Sequence, residues 1–198
     1  LKPSRAGLTH SEFVGLFGEL YVLSEHFMTS IPPEESVRAW IGPEGKKQDF
    51  TFNDSAIEVK TTLSGDQQTI SISSLDQLDK VTRKLYLMRV VASPSGDETG
   101  FNLSGLYESC LDAIGHDVVS EGSFLQKASL FYGKASESQL KDHFVIVNVS
   151  MFDIDINFPK LTRSNVNLAI RDVKYEIAVG ALSDFEVATD VGEIIKNG

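Results

Sequence analysis

"QDFTFNDSAIEVKTT", residues 48–62, decides how this chain is read. Side chains in a strand alternate faces with a period of two. Asp49 and Thr51 therefore share one face, with Phe50 and Phe52 opposite. On the following run Glu58 and Lys60 share a face, with Ile57 and Val59 opposite. Asn53-Asp54 is a good two-residue turn. Pairing across it sets Phe52 against Ser55, and so Asp49 against Glu58. A slip of one residue would bury Asp49 with Ile57 or Val59, which the hydrophobic effect opposes. The expected register is the one in which the polar faces coincide.

Two carboxylates directly opposed across a strand pair repel, so something must offset that cost. Lys60, on the same face, supplies part of it. A divalent cation would supply more, since Mg²⁺ takes one or two carboxylates and keeps several waters. Such an ion activates water and stabilises charge on a phosphate. Lys60 would then orient or deprotonate the attacking water, or stabilise the phosphate in the transition state. On spacing alone the same pattern also describes a solvated sheet face with a salt bridge, and both readings stand at this point.

Upstream, "THSEFVGLFGELYVLSEHF" (9–27) reads as a helix. Thr9 and Glu12 form a capping-box pair. Phe13, Leu16, Phe17, Leu20, Leu23 and Phe27 follow helical spacing along one stripe. Glu19 lies at the margin of that stripe. Gly15 and Gly18 suggest close backbone approach, which would bury Glu19 partly at a helix–sheet junction; a solvent-facing Glu beside packing glycines is the alternative. Pro32 and Pro33 end the helix, and "VRAWIG" (37–42) reads as a short strand. Residues 69–73 read as another strand, and 73–85 as a short helix capped by Ser73 or Ser74. The apolar run 85–93 reads as a strand covered on both faces, and 93–100 as a loop. Helices are expected over 103–116 and 119–132, and strands over 143–158 and 172–182. The last alternates at Val173, Tyr175, Ile177 and Val179. The pattern is α/β in the first half and α+β in the second, joined as one compact unit.

Composition bounds the function. The 198 residues are 41% hydrophobic and 23% charged, as in an ordinary globular chain. No apolar run approaches the roughly 20 residues of a membrane span. The sequence opens on Leu1 rather than Met, so further residues are expected ahead of it, and nothing in it has the pattern of a targeting segment. Cys110 is the only cysteine. It falls in an apolar helical pattern with Leu106 and Ile114, which makes it core filler and favours a reducing, cytoplasmic setting. A formal net charge of −10 opposes autonomous tight binding to nucleic acid. It leaves room for a nuclease docked by partner subunits. His10, His26, His116 and His143 have no zinc spacing, and no Gly-rich phosphate loop precedes a helix. Asp153 and Asp155, alternating with Ile154 and Ile156, read as a polar strand face.

The order of a helix carrying Glu, "QDF" and then "IEVK" resembles the PD-(D/E)XK superfamily of restriction-endonuclease-like nucleases. More closely, "GLFGELYVL", "WIG", "QDF", "IEVKTT", "ISISSLDQL" and "FPKLTRSNV…VKYEI" resemble a branch encoded near bacterial restriction and phage-defence genes. The resemblance runs from about residue 12 to 182. It implies an αβββαβ core with a mixed central sheet over 1–95, and a C-terminal helix and antiparallel strand extension over 96–198 packed on it. It makes Asp49 and Glu58 metal ligands and Lys60 the catalytic lysine. Glu19 matches the helix carboxylate that completes many such metal sites. Gln77 resembles a glutamine that helps place metal, water or DNA. Gln48 stands where the family motif has proline. The implied activity is Mg²⁺- or Mn²⁺-dependent endonuclease cleavage of DNA, double-stranded in the first instance. The cleavage subunit would work with other subunits of a defence system, and a homodimer would cut both strands. Lys46, Lys47, Lys80, Arg83 and Lys84 are the candidate phosphate contacts, although a turn and a helix also carry such residues for solubility. The competing readings are a catalytically silent scaffold or recognition subunit of the same system, and a nuclease for RNA or damaged DNA.

Overall fold

The computed structural model describes residues 7–63, 68–80 and 82–197. Helix α1 spans His10–Val22 and runs on through a wider π turn, Leu23–Phe27. Its capping box forms as expected: the Thr9 hydroxyl accepts from the Glu12 N–H, and the Glu12 carboxylate accepts from the Thr9 N–H. The hairpin follows as β1 (Phe50–Phe52) and β2 (Ser55–Leu63), with Phe52 opposite Ser55 and Phe50 opposite Ile57. Asn53 takes the left-handed conformation that the tight turn requires, φ 47°.

Segment 37–42 does not form the expected strand. Helix α2 spans Pro33–Ala39, because Pro33 at a first helical position pre-sets φ and lacks only an N–H that would be unpaired anyway. Glu34 and Glu35 in its first turn suit the positive end of the helix dipole. What survives of the strand is one bridge, Trp40 to Phe50. The next strand, β3 (Thr69–Ile72), also departs from the expected core order. It pairs antiparallel with β6 (Tyr175–Ala178) in a separate two-stranded sheet. The expected helix over 73–85 is replaced by turns at 75–78. The buried Gln48 amide donates to the carbonyls of Asp76, Gln77 and Asp79 (3.4, 3.4 and 3.2 Å), tying up acceptors that a helix would use.

β4 (Lys84–Pro94) lies at the centre, parallel to β2 and antiparallel to β5 (Phe144–Asp153). The sheet order is β1-β2-β4-β5-β7, with β7 at Glu186–Val187. The sheet is mixed and the architecture α+β, as the resemblance implies. Alternation along β2 and β4 separates two apolar clusters. Ile57, Val59, Met88 and Val90 face α1 and the helices α3 (Leu103–Ile114) and α4 (Val118–Ser129). Ala56, Leu85 and Leu87 face the β3–β6 layer. Cys110 is buried, and burial pushes its thiol up to about 12. β5 stops at Asp153, earlier than expected, so Ile154 is buried whereas Ile156 is 91% exposed. Two short helices complete the described chain, α5 (Glu137–Lys141) and α6 (Val191–Asn197). Among the described residues no helix is long and apolar enough to cross a membrane.

Candidate active site

The site forms where β1 parts from β2. Asp49 stands one residue before β1, and three backbone bonds hold it there. Its N–H donates to the Ile57 carbonyl (3.2 Å), and its carbonyl accepts from the N–H groups of Ile41 and Gly42 (2.8 and 2.9 Å). Since β1 no longer covers β2 beyond this point, the Val59 N–H is donated to the Asp49 carboxylate instead, at 2.7 Å. Glu58, 2% exposed, sits on β2 beside Lys60, whose ammonium is 2.9 Å from its carboxylate.

Glu19 reaches the same region from α1. Its Oε2 accepts from the indole N–H of Trp40 at 2.7 Å. Gly42 lies directly against Glu19 Oε2 and Asp49 Oδ1; a Cβ there would overlap the first and press on the second. Gly18 serves the approach of α1 to the sheet, because a Cβ on it would collide with Thr61 of β2. Gly15 has no such role, with open space around its Cβ position.

The charges are mutually costly. Burial and then the charge of Asp49 hold the Glu19 carboxyl well above the usual range, against the Trp40 hydrogen bond. Burial raises Asp49, opposed by the Val59 N–H and Lys60. Burial and the charge of Asp49 raise Glu58 to about 8, opposed by Lys60. Three carboxylates therefore crowd one lysine, and the shortfall is positive charge.

Asp49 and Glu58 open together on a cavity of about 290 Å³, whose lining also includes Lys46, Lys47, Asp76 and Gln77. Gln77 is oriented by Ser73, whose N–H (3.0 Å) and hydroxyl (3.2 Å) both donate to its side-chain oxygen. Glu19 lines a different, smaller cavity with Gly15 and Phe131. Of the five basic candidates, Lys46 and Lys47 stand at the cavity. Lys47 is drawn to Asp76 (3.8 Å) and Asp79 (3.7 Å). Lys80, Arg83 and Lys84 are not among the residues lining it. Lys84 pairs with Asp153 at 2.9 Å.

Among the described residues no trio of His, Cys, Asp or Glu converges as a complete metal-ligand set. The Asp49–Glu58 pair nonetheless fits Mg²⁺, which needs only one or two carboxylates with water filling the rest. Buried carboxylates held above their usual pKa, facing a cavity that admits water, are the donors such a cation stabilises.

Several contributors were not evident beforehand. Trp40 is the only tryptophan, and a buried indole N–H needs an acceptor; that need was the available signal. The Lys127 ammonium donates to the carbonyls of Val37 (2.9 Å) and Trp40 (2.5 Å) and pairs with Glu44 (3.1 Å). It thereby fastens the turn that carries Gly42, and no local pattern announces it.

A family model described as "Putative PD-(D/E)XK family member, (DUF4420)" matches residues 1–180. No curated protein and no solved structure matches the chain.

Proposed function

Because the chain belongs to this PD-(D/E)XK family, we propose that it is a metal-dependent DNA endonuclease, the cleavage subunit of a bacterial restriction or phage-defence system. The observation that carries this reading is the buried Asp49–Glu58 pair beside Lys60, short of positive charge and open to a cavity. Asp49 and Glu58 would hold Mg²⁺ or Mn²⁺, with Glu19 beside Asp49. The ion would supply an activated water and a counter-charge for the phosphate. Lys60, fixed by Glu58, orients the attacking water and offsets negative charge growing on the phosphate oxygens. Water adds to phosphorus, the P–O bond to the leaving sugar breaks, and that oxygen takes up a proton. Gln77 and Lys47 face the same cavity and bind the flanking backbone. Residues 1–95 act as the catalytic core, and 96–198 as an extension that lends β5 and α3 to its sheet and packing. Cutting a duplex takes two such sites, so the working form is a homodimer or a nicking enzyme that acts twice.

A plasmid cleavage assay with Mg²⁺ or Mn²⁺ tests the proposal on wild type, Lys60→Ala and Glu58→Ala. Cation-dependent nicking that both substitutions abolish is expected. Nicking that survives both would overturn the site. An intact plasmid even with the neighbouring gene products present would favour the scaffold reading.

A further inference from the structure

Residues 156–171 carry Lys160, Arg163 and Arg171 and no Asp or Glu, in a chain whose formal net charge is −10. No helix or strand occupies this stretch, yet its base is firmly tied. Phe158 and Thr162 are buried. The Leu161 N–H donates to the Tyr175 hydroxyl (3.0 Å), the Thr162 N–H to the Asn165 side chain (2.7 Å), and the Asn165 amide to the Lys160 carbonyl (3.0 Å). Beyond that base the loop turns over Asn167, whose carbonyl accepts from the Ile170 N–H. Its tip is bare: Leu168 is 92% exposed and Ile170 46%.

The loop is also joined to the candidate active site. Both the Nε and Nη2 of Arg163 donate to the Asp76 carboxylate, at 3.4 and 3.3 Å. Asp76 lines the cavity that holds Asp49 and Glu58, and it is shared with Lys47. Two cations thus wait on one carboxylate at the mouth of the site. An apolar side chain almost fully in water does nothing for the fold, but it is the kind of group that packs into a DNA groove.

We propose that the 156–171 loop is the DNA-docking element. Arg163 and Arg171 take backbone phosphates beside the one being cut, and Leu168 packs against sugar and base edges in the groove. A phosphate matches the planar guanidinium fork as well as a carboxylate does, so an arriving strand takes Arg163 from Asp76. The inference rests on the nuclease reading only for the identity of the partner, and it places DNA contact on residues outside the Lys80, Arg83 and Lys84 group.

The test measures binding apart from cleavage, by fluorescence anisotropy of a labelled duplex in chelator across a salt series. Removing one phosphate-binding cation should flatten the slope of log K against log salt by about 0.9. Arg163→Ala/Arg171→Ala should therefore flatten it by about two. Leu168→Ser should weaken binding and leave the slope unchanged. Arg38→Ala/Lys141→Ala, which removes the same charge from two exposed helical pairs, should change neither. Thermal melts should match wild type for all of them, since every substituted side chain is exposed. A slope unchanged in the loop arginine variant, an equal loss in the control, or a wild type that does not bind duplex overturns the docking role. If the loop variants behave as expected while wild type leaves plasmid uncut with Mg²⁺ or Mn²⁺ even with the neighbouring gene products present, the nuclease reading falls alone.

Discussion

Replacing Glu58 by glutamine should make the metal-free protein more stable while abolishing its chemistry. The carboxyl is 2% exposed, and its pKa rises from 4.5 to about 8. The folded state therefore holds this proton more tightly than the unfolded chain does. The stability it contributes is fully present below about pH 4.5 and is lost as pH rises through about 8. At about 1.4 kcal/mol per pH unit, the loss between pH 5 and pH 8.5 is about 4 kcal/mol. Glutamine keeps the shape and cannot ionise, so the stability of Glu58→Gln relative to wild type should climb by about that amount over the same range. Asp49 and Glu19 also titrate; the charge of Glu58 helps to raise Glu19, so its removal relieves that carboxyl too and widens the gap at high pH rather than narrowing it. Urea unfolding of both proteins in chelator at pH 5, 6, 7 and 8.5 measures it. A gap that stays flat or narrows as pH rises would show that Glu58 is not held protonated by its surroundings. Millimolar Mg²⁺ should remove most of the pH dependence from wild type and leave the variant unchanged.

Three further outcomes follow from the same geometry. Gly42→Ala should push Glu19 and Asp49 off their positions, slow plasmid nicking by about a hundredfold and, by overpacking the buried carboxyls and straining the Trp40–Glu19 hydrogen bond, cost about 1–3 kcal/mol. Trp40→Phe removes the indole N–H that donates to the Glu19 carboxylate and should cost about 1–3 kcal/mol, followed by far-UV circular dichroism because the sole tryptophan is gone. Gln48→Ala frees three carbonyls of the 76–79 turn. It should cost about 1–3 kcal/mol and open residues 73–80 to limited proteolysis, which a merely solvent-facing Gln48 would not do.

The hairpin was legible because everything that sets it is local. Alternation and a two-residue turn fix Phe52 against Ser55, and the structure has that pairing. The capping box of α1 and the doubly covered run in β4 are local in the same sense. The fold departs from its local pattern where a residue has two meanings or where the partner is distant. Proline ends one helix and equally begins another, and Pro33 does the second. β3 finds its partner more than a hundred residues away, opposite Tyr175–Ala178, and no period in its own sequence could say so. The 73–85 stretch has helical spacing, but Gln48 takes its carbonyls from outside. At the site, the sharing of a face by Glu58 and Lys60 could be read directly. That Glu19 meets an indole and crowds Asp49 across Gly42 depends on three segments folding together. Asp155 departs from its local alternation: it caps a turn by accepting from the Asn157 and Phe158 N–H groups rather than continuing a strand face.

The placement of β2 has a consequence for the order in which the cell makes this protein. A ribosome that has released residues 1–63 has already synthesised Asp49, Glu58 and Lys60. At that moment β2 has only three-residue β1 beside it, and a lone hairpin is at best marginally stable in water. Its long neighbour, β4, has not yet emerged, and β4 in turn is flanked by β5, which begins at Phe144. Asp49, Glu58 and Lys60 therefore arrive before the strands that fix their positions. A chain arrested or truncated before the later strands carries the whole motif with no sheet to hold it.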